Sequence, residues 1–261
     1  MKSLERKPSL RAPTSLIAVV CLALVLSACG RDDAVQEPGA DLLYEQGQEH
    51  LLNGNYAGAI ISFQNLSIRY PLNAVTRQAQ LDLIYAYYRS GQPESALDVA
   101  ETFIRENPRQ PEVAYCLYMI GLIHFDSDPN IIERLFRVDV TERPPRESQL
   151  AFDAFENLIR QYPDSEYAGD ARQRMVYLRN RLAIYENHVA RYYMQRGAWV
   201  AALNRAQYAI EHYPGAPELE ESLAIMIEAY EQLGNIELAE DARRVLRENF
   251  GDLGSDAPPG G

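Results

Sequence analysis

Residues 54–71 read GNYAGAIISFQNLSIRYP and place a glycine, an alanine and a proline at spacings that return along the chain. Gly54 precedes Ala59 by five residues, and Pro71 follows that alanine by twelve. The register returns at Gly91, Ala96 and Pro108; at Ala151 and Pro163; at Gly197, Ala202 and Pro214; and at Gly234, Ala239 and, in place of the proline, Gly251. A register met five times indicates an internal repeat.

Each position of the register predicts one part of a helical hairpin. The glycine ends a first helix, because glycine adopts the left-handed conformation beyond a helix C-terminus at little cost. The alanine lets two helices cross closely, and the proline ends the second helix because the residue before a proline disfavours the α region. This is the tetratricopeptide pattern, and it predicts an all-α superhelix of about five helical hairpins over residues 41–250. An unrelated helical bundle is not expected to repeat one register five times.

The first helices also carry a small residue before their turn in three units, at Gly47, Gly121 and Ala190. Ile84 and Ile227 occupy the equivalent positions of units two and five. Since a larger side chain separates two crossing helices, we expect looser crossings in those two units.

An insertion divides the third unit. His50 and His124 share one repeat position on the first helices of units one and three. His50 precedes the alanine of its unit, Ala59, by nine residues, whereas His124 precedes Ala151 by 27, so 18 residues are added in unit three. We assign the insertion to residues 126–149, within which Ile131, Ile132, Leu135, Phe136 and Val138 form an apolar set. Such a set has to pack, either on the repeats themselves or on a partner.

A second irregularity divides the repeats into two groups. Pro163 and Pro214 are 51 residues apart, against 37 for Pro71 and Pro108. The 14 additional residues are close to four helical turns, so helical phase is kept. We therefore expect a long helix or a helix pair over residues 168–194, which links N-terminal repeats (41–163) to C-terminal repeats (164–250).

The N-terminus has the features of a lipoprotein signal peptide. A basic segment precedes an unbroken apolar run over residues 16–26, which is too short to span a bilayer. The run ends in Leu26-Ser27-Ala28-Cys29, which resembles the bacterial lipobox. The resemblance implies cleavage after residue 28 and a covalent N-acyl diacylglycerol anchor on Cys29. Gly30, in place of the aspartate that retains lipoproteins in the inner membrane, implies the outer membrane. The alternative is a secretory signal with a chance cysteine.

Composition identifies the remaining segments and excludes several functions. Residues 29–40 are predicted to be a flexible tether and residues 251–261 a disordered tail. The chain carries −12, and residues 1–28 hold four basic groups and one acidic group, so the mature chain carries −12 − 3 = −15. Such an acidic protein is a poor ligand for nucleic acid.

No pattern for catalysis, a cofactor or a metal ion is present. Phosphate-loop, GxGxxG and GxSxG motifs are missing, and no two of the four histidines have metal-ligand spacing. Cys116 lies within an apolar run and is expected to be buried rather than reactive. We expect a protein that is not an enzyme and binds no cofactor apart from the lipid on Cys29.

Tyrosine is the informative residue type, with 17 in the chain. One face of the first helices is expected to line a groove for an extended peptide. An aromatic groove with an arginine suits a peptide with aromatic side chains and a free carboxylate. The predicted groove residues are Tyr44, Tyr85, Tyr88, Arg89, Tyr115 and Tyr118. The alternative is that several of these rings belong to the core, with only their hydroxyls at its edge.

Several segments resemble the BamD family of the β-barrel assembly machinery. They are LDLIYAYY at residues 81–88, FRVD at 136–139 and RGAWVAALNR at 196–205, together with the lipobox and the Tyr-Pro repeat endings. The resemblance implies a scaffold anchored in the outer membrane and facing the periplasm. Its C-terminal repeats would dock on a POTRA domain of BamA, and its N-terminal repeats would receive C-terminal segments of unfolded outer-membrane proteins. Other Bam lipoproteins are further implied partners. The Gly-Gln-Pro segment after Ser90 departs from the family pattern.

The resemblance places the family's BamA-contacting arginine at Arg205. Its neighbours at three and four residues along a helix are Ala201, Ala202, Tyr208 and Ala209, so we expect an arginine without an acidic partner. The alternative is a solvated surface arginine. A rival function, a periplasmic tetratricopeptide scaffold for cell-wall synthesis or division, remains open, with a peptidoglycan hydrolase as a more distant third.

Overall fold

The computed structural model describes residues 39–127 and 145–251, and within these ranges every regular element is an α-helix. The helices are α1 Ala40–Leu52, α2 Tyr56–Arg69, α3 Ala74–Arg89, α4 Pro93–Glu106, α5 Val113–Ser127, α6 Arg146–Gln161, α7 Ala168–Met194, α8 Trp199–His212, α9 Leu219–Gln232 and α10 Ile236–Phe250. The all-α prediction is confirmed.

The helices form five hairpins that stack side by side. Each helix packs against the next along the chain. In addition, α1 packs on α3, α3 on α5 and α7 on α9, so first helices of neighbouring units touch one another. We call α1, α3, α5, α7 and α9 the first helices and the other five the second helices. This arrangement confirms the tetratricopeptide prediction and collects the side chains of the first helices on one face.

The predicted hairpin turns are confirmed in the four units that carry the glycine. Gly54, Gly91, Gly197 and Gly234 have φ between 68° and 75°, where a side chain would be strained. The residue after each glycine donates its N–H to the carbonyl five residues earlier, as Asn55 does to His50 at 2.8 Å. This bond is that of the Schellman motif, which satisfies carbonyls left open at the helix end.

The helix crossings depend on an exchange of volume between one position on the first helix and the position that faces it on the second helix. A Cβ atom on Gly47 would lie 2.2 Å from the Phe63 ring, so only glycine admits that ring. Gly121 stands in the same relation to Phe155, at 2.4 Å. In unit two the volumes are reversed: Ile84 takes the glycine position, Ala100 takes the phenylalanine position, and both are fully buried. The crossing of unit two stays filled, but its two helices contact each other less extensively than those of the other hairpins, in keeping with the looser crossing expected there.

The long linking helix is confirmed as the single 27-residue helix α7. Both ends of the assigned insertion are helical, because α5 continues to Ser127 and α6 begins at Arg146. Ser148, in the first turn of α6, is fully buried, which shows that the helix is already packed there. The apolar set of the insertion, the signal peptide, Cys29, the tether up to residue 38 and the tail beyond residue 251 lie outside the described residues. No helix in the described ranges is long and apolar enough to cross a membrane.

Candidate functional site

The six predicted groove residues all lie on first helices, Tyr44 on α1, Tyr85, Tyr88 and Arg89 on α3, and Tyr115 and Tyr118 on α5. Two of them, Tyr85 and Tyr115, line an open depression of about 580 Å³. We call it the aromatic depression; it is lined by Gln78, Leu81, Asp82, Tyr85, Pro111, Glu112, Tyr115, Glu166 and Tyr167.

Three of the predicted groove tyrosines connect neighbouring units. The Tyr44 hydroxyl donates to Asp82 at 3.0 Å, and the Tyr118 hydroxyl donates to Asp170 at 2.9 Å. Tyr88 donates to Asp126 in the same manner. Each bond joins one first helix to the next, so these three hydroxyls are engaged within the array. Burial, followed by the adjacent carboxylate, raises the pKa of Tyr44 and of Tyr88 to about 12.

Arg89 lies beside the aromatic depression and does not line it. Its guanidinium stands over the Tyr56 ring at 5.2 Å and the Tyr85 ring at 5.6 Å. Nη1 donates to the Tyr85 hydroxyl at 2.6 Å. The Arg89 side chain is exposed. Tyr85 is thus shared between the arginine and the depression.

The carboxylates of the depression were not among the predicted site residues. Asp82 accepts hydrogen bonds from Tyr44 at 3.0 Å, Gln48 at 2.6 Å and Gln78 at 3.4 Å. Burial raises the pKa of Asp82 above its usual value. Asp82 stands inside the apolar LDLIYAYY segment, and an acidic residue in that setting was the signal available in the sequence.

Three further residues of the depression lie just before first helices and not within them: Glu112, Glu166 and Tyr167. Tyr167 stacks on Tyr118 with ring centroids 5.1 Å apart and meets Tyr115 at 5.7 Å. Burial and then the Glu166 carboxylate raise the pKa of Tyr167 to about 12. Glu112 directly precedes α5, and Glu166 and Tyr167 directly precede α7, so only the stacking of units two, three and four brings them to α3.

Arg205, on α8, has an acidic partner, contrary to the expectation of an unpaired side chain. Its Nη1 lies 3.2 Å from Oε2 of Glu186 on α7. The Arg205 side chain is 44% exposed, whereas that of Glu186 is 8% exposed. Burial raises the pKa of Glu186, and Arg205 and then His212 oppose that rise. The sequence argument considered only neighbours on the same helix, and the partner comes from the adjacent one.

An apolar depression of about 460 Å³ lies at the N-terminal end of α8. Trp199, Val200 and Ala201 line it from α8, and Leu233 lines it from the end of α9. Val200 is 57% exposed and Leu233 is 37% exposed. The depression lies within the segment at residues 196–205 that also contains Arg205.

Cys116 and two of the histidines are buried or hydrogen-bonded within the protein. Cys116 is fully buried, as predicted, and burial raises the pKa of its thiol to about 12. His124 Nδ1 contacts Glu147 at 2.7 Å, and His50 Nδ1 contacts Asn55 at 3.1 Å. In residues 39–127 and 145–251, no three histidine, cysteine or acidic side chains are placed to hold a metal ion.

Comparison with known proteins identifies a matching family and several curated relatives. The model of the YfiO family, described as an outer membrane lipoprotein, matches residues 37–246. The outer membrane protein assembly factor BamD of Neisseria meningitidis serogroup A is 40% identical over 242 residues, covering 90% of this chain and 91% of the relative. The protein of the same name from Vibrio cholerae is 37% identical, covering 90% of this chain and 98% of the relative.

Solved structures with a similar helical arrangement include a MamA protein and a tetratricopeptide repeat protein from Parabacteroides merdae. MamA is 18% identical with a TM-score of 0.34, covering 84% of this chain and 98% of the other. The Parabacteroides protein is 18% identical with a TM-score of 0.38, covering 90% of this chain and 74% of the other.

Proposed function

The chain belongs to the BamD family of outer membrane protein assembly factors, and we propose that it is a scaffold that works by binding and not by catalysis. In this proposal Cys29 carries the lipid that anchors the protein in the outer membrane, and the repeats face the periplasm. The N-terminal units receive C-terminal segments of unfolded outer-membrane proteins. The C-terminal units dock on a POTRA domain of BamA, alongside other Bam lipoproteins.

The observation that carries the client-binding part is the exposed Arg89 guanidinium beside the rings of Tyr56 and Tyr85. An arginine held by aromatic rings keeps its outward N–H groups available for a carboxylate. The adjoining depression offers aromatic walls for a neighbouring side chain of the peptide. This arrangement favours a peptide that ends in an aromatic residue with a free carboxylate.

Peptide binding tests this part with the lipidated chain in detergent. A fluorescent peptide ending in Phe is expected to bind the native chain, and Arg89→Gln or Tyr85→Ala is expected to weaken binding about tenfold. Arg196 and Tyr192 provide a matched control, because Arg196 also stands over a tyrosine ring four residues away. Equal affinities in Arg89→Gln and Arg196→Gln would remove the proposal for this groove.

The BamA-docking part rests on Arg205 and on the apolar depression at the N-terminal end of the same helix, α8. Helix α8 thus combines a half-exposed arginine with an apolar surface that includes the exposed Val200 and Leu233, and charge and apolar contact occur together in many interfaces. Glu186 holds the guanidinium from the buried side. A carboxylate of the partner would approach from the exposed side.

Because Glu186 is buried beside Arg205, the substitution that tests BamA docking has to take Glu186 into account. Arg205→Glu would place a carboxylate against a buried carboxylate and disturb folding, so Arg205→Gln in a Glu186→Gln background is the cleaner test. We expect that double variant to bind the BamA POTRA domain about tenfold more weakly, and Glu186→Gln alone to bind it as the native chain does. Arg109→Gln, an exposed residue between α4 and α5, is the charge-matched control. Native affinity in the double variant would contradict the site.

The rival is a periplasmic scaffold for cell-wall synthesis or division. Recovery of the lipidated chain from outer membranes with its partners separates the two functions. BamA and other Bam lipoproteins are expected in the recovered material. Wall synthases in their place would support the rival and end the proposal.

A further inference from the structure

The aromatic depression has the opposite charge preference from Arg89 beside it. Its walls carry three carboxylates, Asp82, Glu112 and Glu166, and no lysine, arginine or histidine lines it. An anionic group would meet repulsion in this space, whereas a cationic group would meet attraction from three directions. The terminal carboxylate of a client therefore belongs at Arg89, and a different group belongs in the depression.

The negative charge of the depression lacks compensation within the described part of the chain. Asp82 is bonded only to neutral donors, the hydroxyl of Tyr44 and the amides of Gln48 and Gln78. In residues 39–127 and 145–251, no ion pair joins Glu112 or Glu166 to a cation. Burial raises the pKa of Asp82, which reflects the cost of holding its charge with neutral partners. A cation in the depression would lower that cost.

The aromatic walls also favour a cation. Tyr85, Tyr115 and Tyr167 contribute rings to the same space, and Tyr115 and Tyr167 are 5.7 Å apart with planes tilted by 56°. Ring faces attract lysine and arginine, and the surrounding apolar surface accepts the methylene stem of either side chain. Arg89 shows this pairing at Tyr85, where its guanidinium stands over the ring.

We propose that the aromatic depression binds a lysine or arginine side chain of the unfolded client, close to the client's aromatic C-terminus. This inference rests on the proposed client binding and adds a substrate requirement to it. Tyr85 belongs to both subsites, because it accepts a hydrogen bond from Arg89 and also lines the depression. An extended peptide advances about 3.3 Å per residue, so a cationic residue one to three positions before the terminus would reach from one subsite to the other.

The test compares peptides and variants with the lipidated full chain in detergent. One set of peptides ends in Phe and carries a single lysine at the first, second or third position before it, and a matched set carries glutamine there. We expect at least one lysine peptide to bind about fivefold more tightly than its glutamine partner, with the difference shrinking as salt rises. Equal affinity of every lysine and glutamine pair would overturn the inference.

Variants that remove carboxylates test whether the preference for lysine peptides arises in the aromatic depression. Glu112→Gln with Glu166→Gln removes two charges and keeps side-chain shape, while Asp82 is left intact because it holds Tyr44. This double variant is expected to bind the lysine peptide no better than the glutamine peptide, with the glutamine peptide unaffected. Glu45→Gln with Glu49→Gln, two exposed glutamates on α1, is the charge-matched control and should retain the preference. Loss of the preference in both variants alike would show a general charge effect and overturn the site.

A second probe separates this inference from the client-binding proposal. The capped peptide acetyl-Gly-Lys-Gly-amide has neither an aromatic side chain nor a free carboxylate, so it tests the cation subsite alone. Its NMR signals are expected to show saturable shifts with the native chain and none with the Glu112→Gln, Glu166→Gln variant. Failure of all Phe-ending peptides with retention of these shifts would remove the client proposal and keep the cation subsite. No shift with the native chain would remove the subsite.

Discussion

Glu186 and Arg205 show how one residue pair can combine a folding cost with a binding role. Glu186 is buried and faces one guanidinium, with His212 as a further positive influence when protonated. Taking a carboxylate out of water costs free energy, and an arginine that is 44% exposed returns only part of it. The raised pKa of Glu186 expresses that balance.

The sign of the shift predicts how Glu186→Gln changes stability. A folded-state pKa above the unfolded value means that the stabilising contribution is present at low pH and is lost as pH rises through the folded-state pKa. Glu186→Gln is therefore expected to have an equal or higher free energy of unfolding than the native chain at pH 7. The difference should vanish as the pH falls below the unfolded value. Urea unfolding at a series of pH values measures it, and a variant less stable than the native chain at pH 7 would contradict the assignment.

Removing the other partner should have the opposite effect. Arg205→Gln leaves Glu186 charged and buried, so we expect a loss of about 1–2 kcal/mol at pH 7, less than for a fully buried pair because Arg205 is half exposed. The loss should diminish as Glu186 becomes protonated at lower pH. Restoration of stability in the double variant with Glu186→Gln would show that the loss comes from the unpaired carboxylate. Equal losses in the single and double variants would contradict this account.

How closely the two helices of a hairpin pack depends on the side-chain volumes at two facing positions. Glycine faces phenylalanine in units one and three, at Gly47–Phe63 and Gly121–Phe155. Isoleucine and alanine take these positions in unit two, and two alanines, Ala190 and Ala206, take them in unit four. Such exchanges keep a core filled while individual residues change. The crossing at Ile84 is nevertheless the least extensive of the five, as expected from the larger side chain on the first helix.

We predict that Gly47→Ala destabilises the protein by about 1–3 kcal/mol, although alanine is the better helix former. The new Cβ would meet the Phe63 ring at 2.2 Å, and that ring is fully buried. The combination Gly47→Ile with Phe63→Ala reproduces unit two and is expected to recover much of the loss of either single change. Thermal unfolding measures all three variants.

Gly169, in the first turn of α7, is the control for that prediction. A Cβ there would have no neighbour within 4 Å. Gly169→Ala is therefore expected to stabilise the protein by about 0.4–1 kcal/mol, since alanine restricts the unfolded chain and fits the helix. If both glycine substitutions changed stability in the same direction, the steric account of the crossing would be wrong.

At the scale of the whole molecule, the sequence was sufficient for the architecture because the architecture repeats. The alanine of the register occurs in all five units and its glycine and proline in four each, and the 14 additional residues before Pro214 were enough to predict the long helix α7. The candidate site was only partly predictable, because it is made by contacts between units. Tyr85 and Tyr115 could be placed by helical phase, whereas Glu112, Glu166 and Tyr167 reach the depression only through the stacking of units two, three and four. Glu186 was not predicted as the partner of Arg205, because the two residues lie on different helices.

Stability is also expected to vary along the array, because each unit of a solenoid is held by its neighbours. The two terminal helices differ in these contacts. At the N-terminus, α1 is joined to α3 through Tyr44 and Gln48, which both bond Asp82. At the C-terminus, α10 buries Ala239, Ala242 and Leu246 and packs mainly on α9. Within the described residues, an ion pair between Arg243 and Glu231 joins α10 to α9.

We therefore predict that α10 opens before α1 in hydrogen exchange, with protection factors lower by about tenfold or more. The physical reason is that opening α1 breaks the bonds to Asp82 and its packing on α3, whereas α10 packs mainly on α9. Exchange followed by mass spectrometry at peptide resolution measures both helices in one sample, with α3 as the protected internal reference. Asp82→Asn should reduce the protection of α1 and leave that of α10 unchanged, because the bonds to Asp82 act at one end only. Equal protection of the two terminal helices would show that the array opens as one cooperative unit, and the local account of its stability would be wrong.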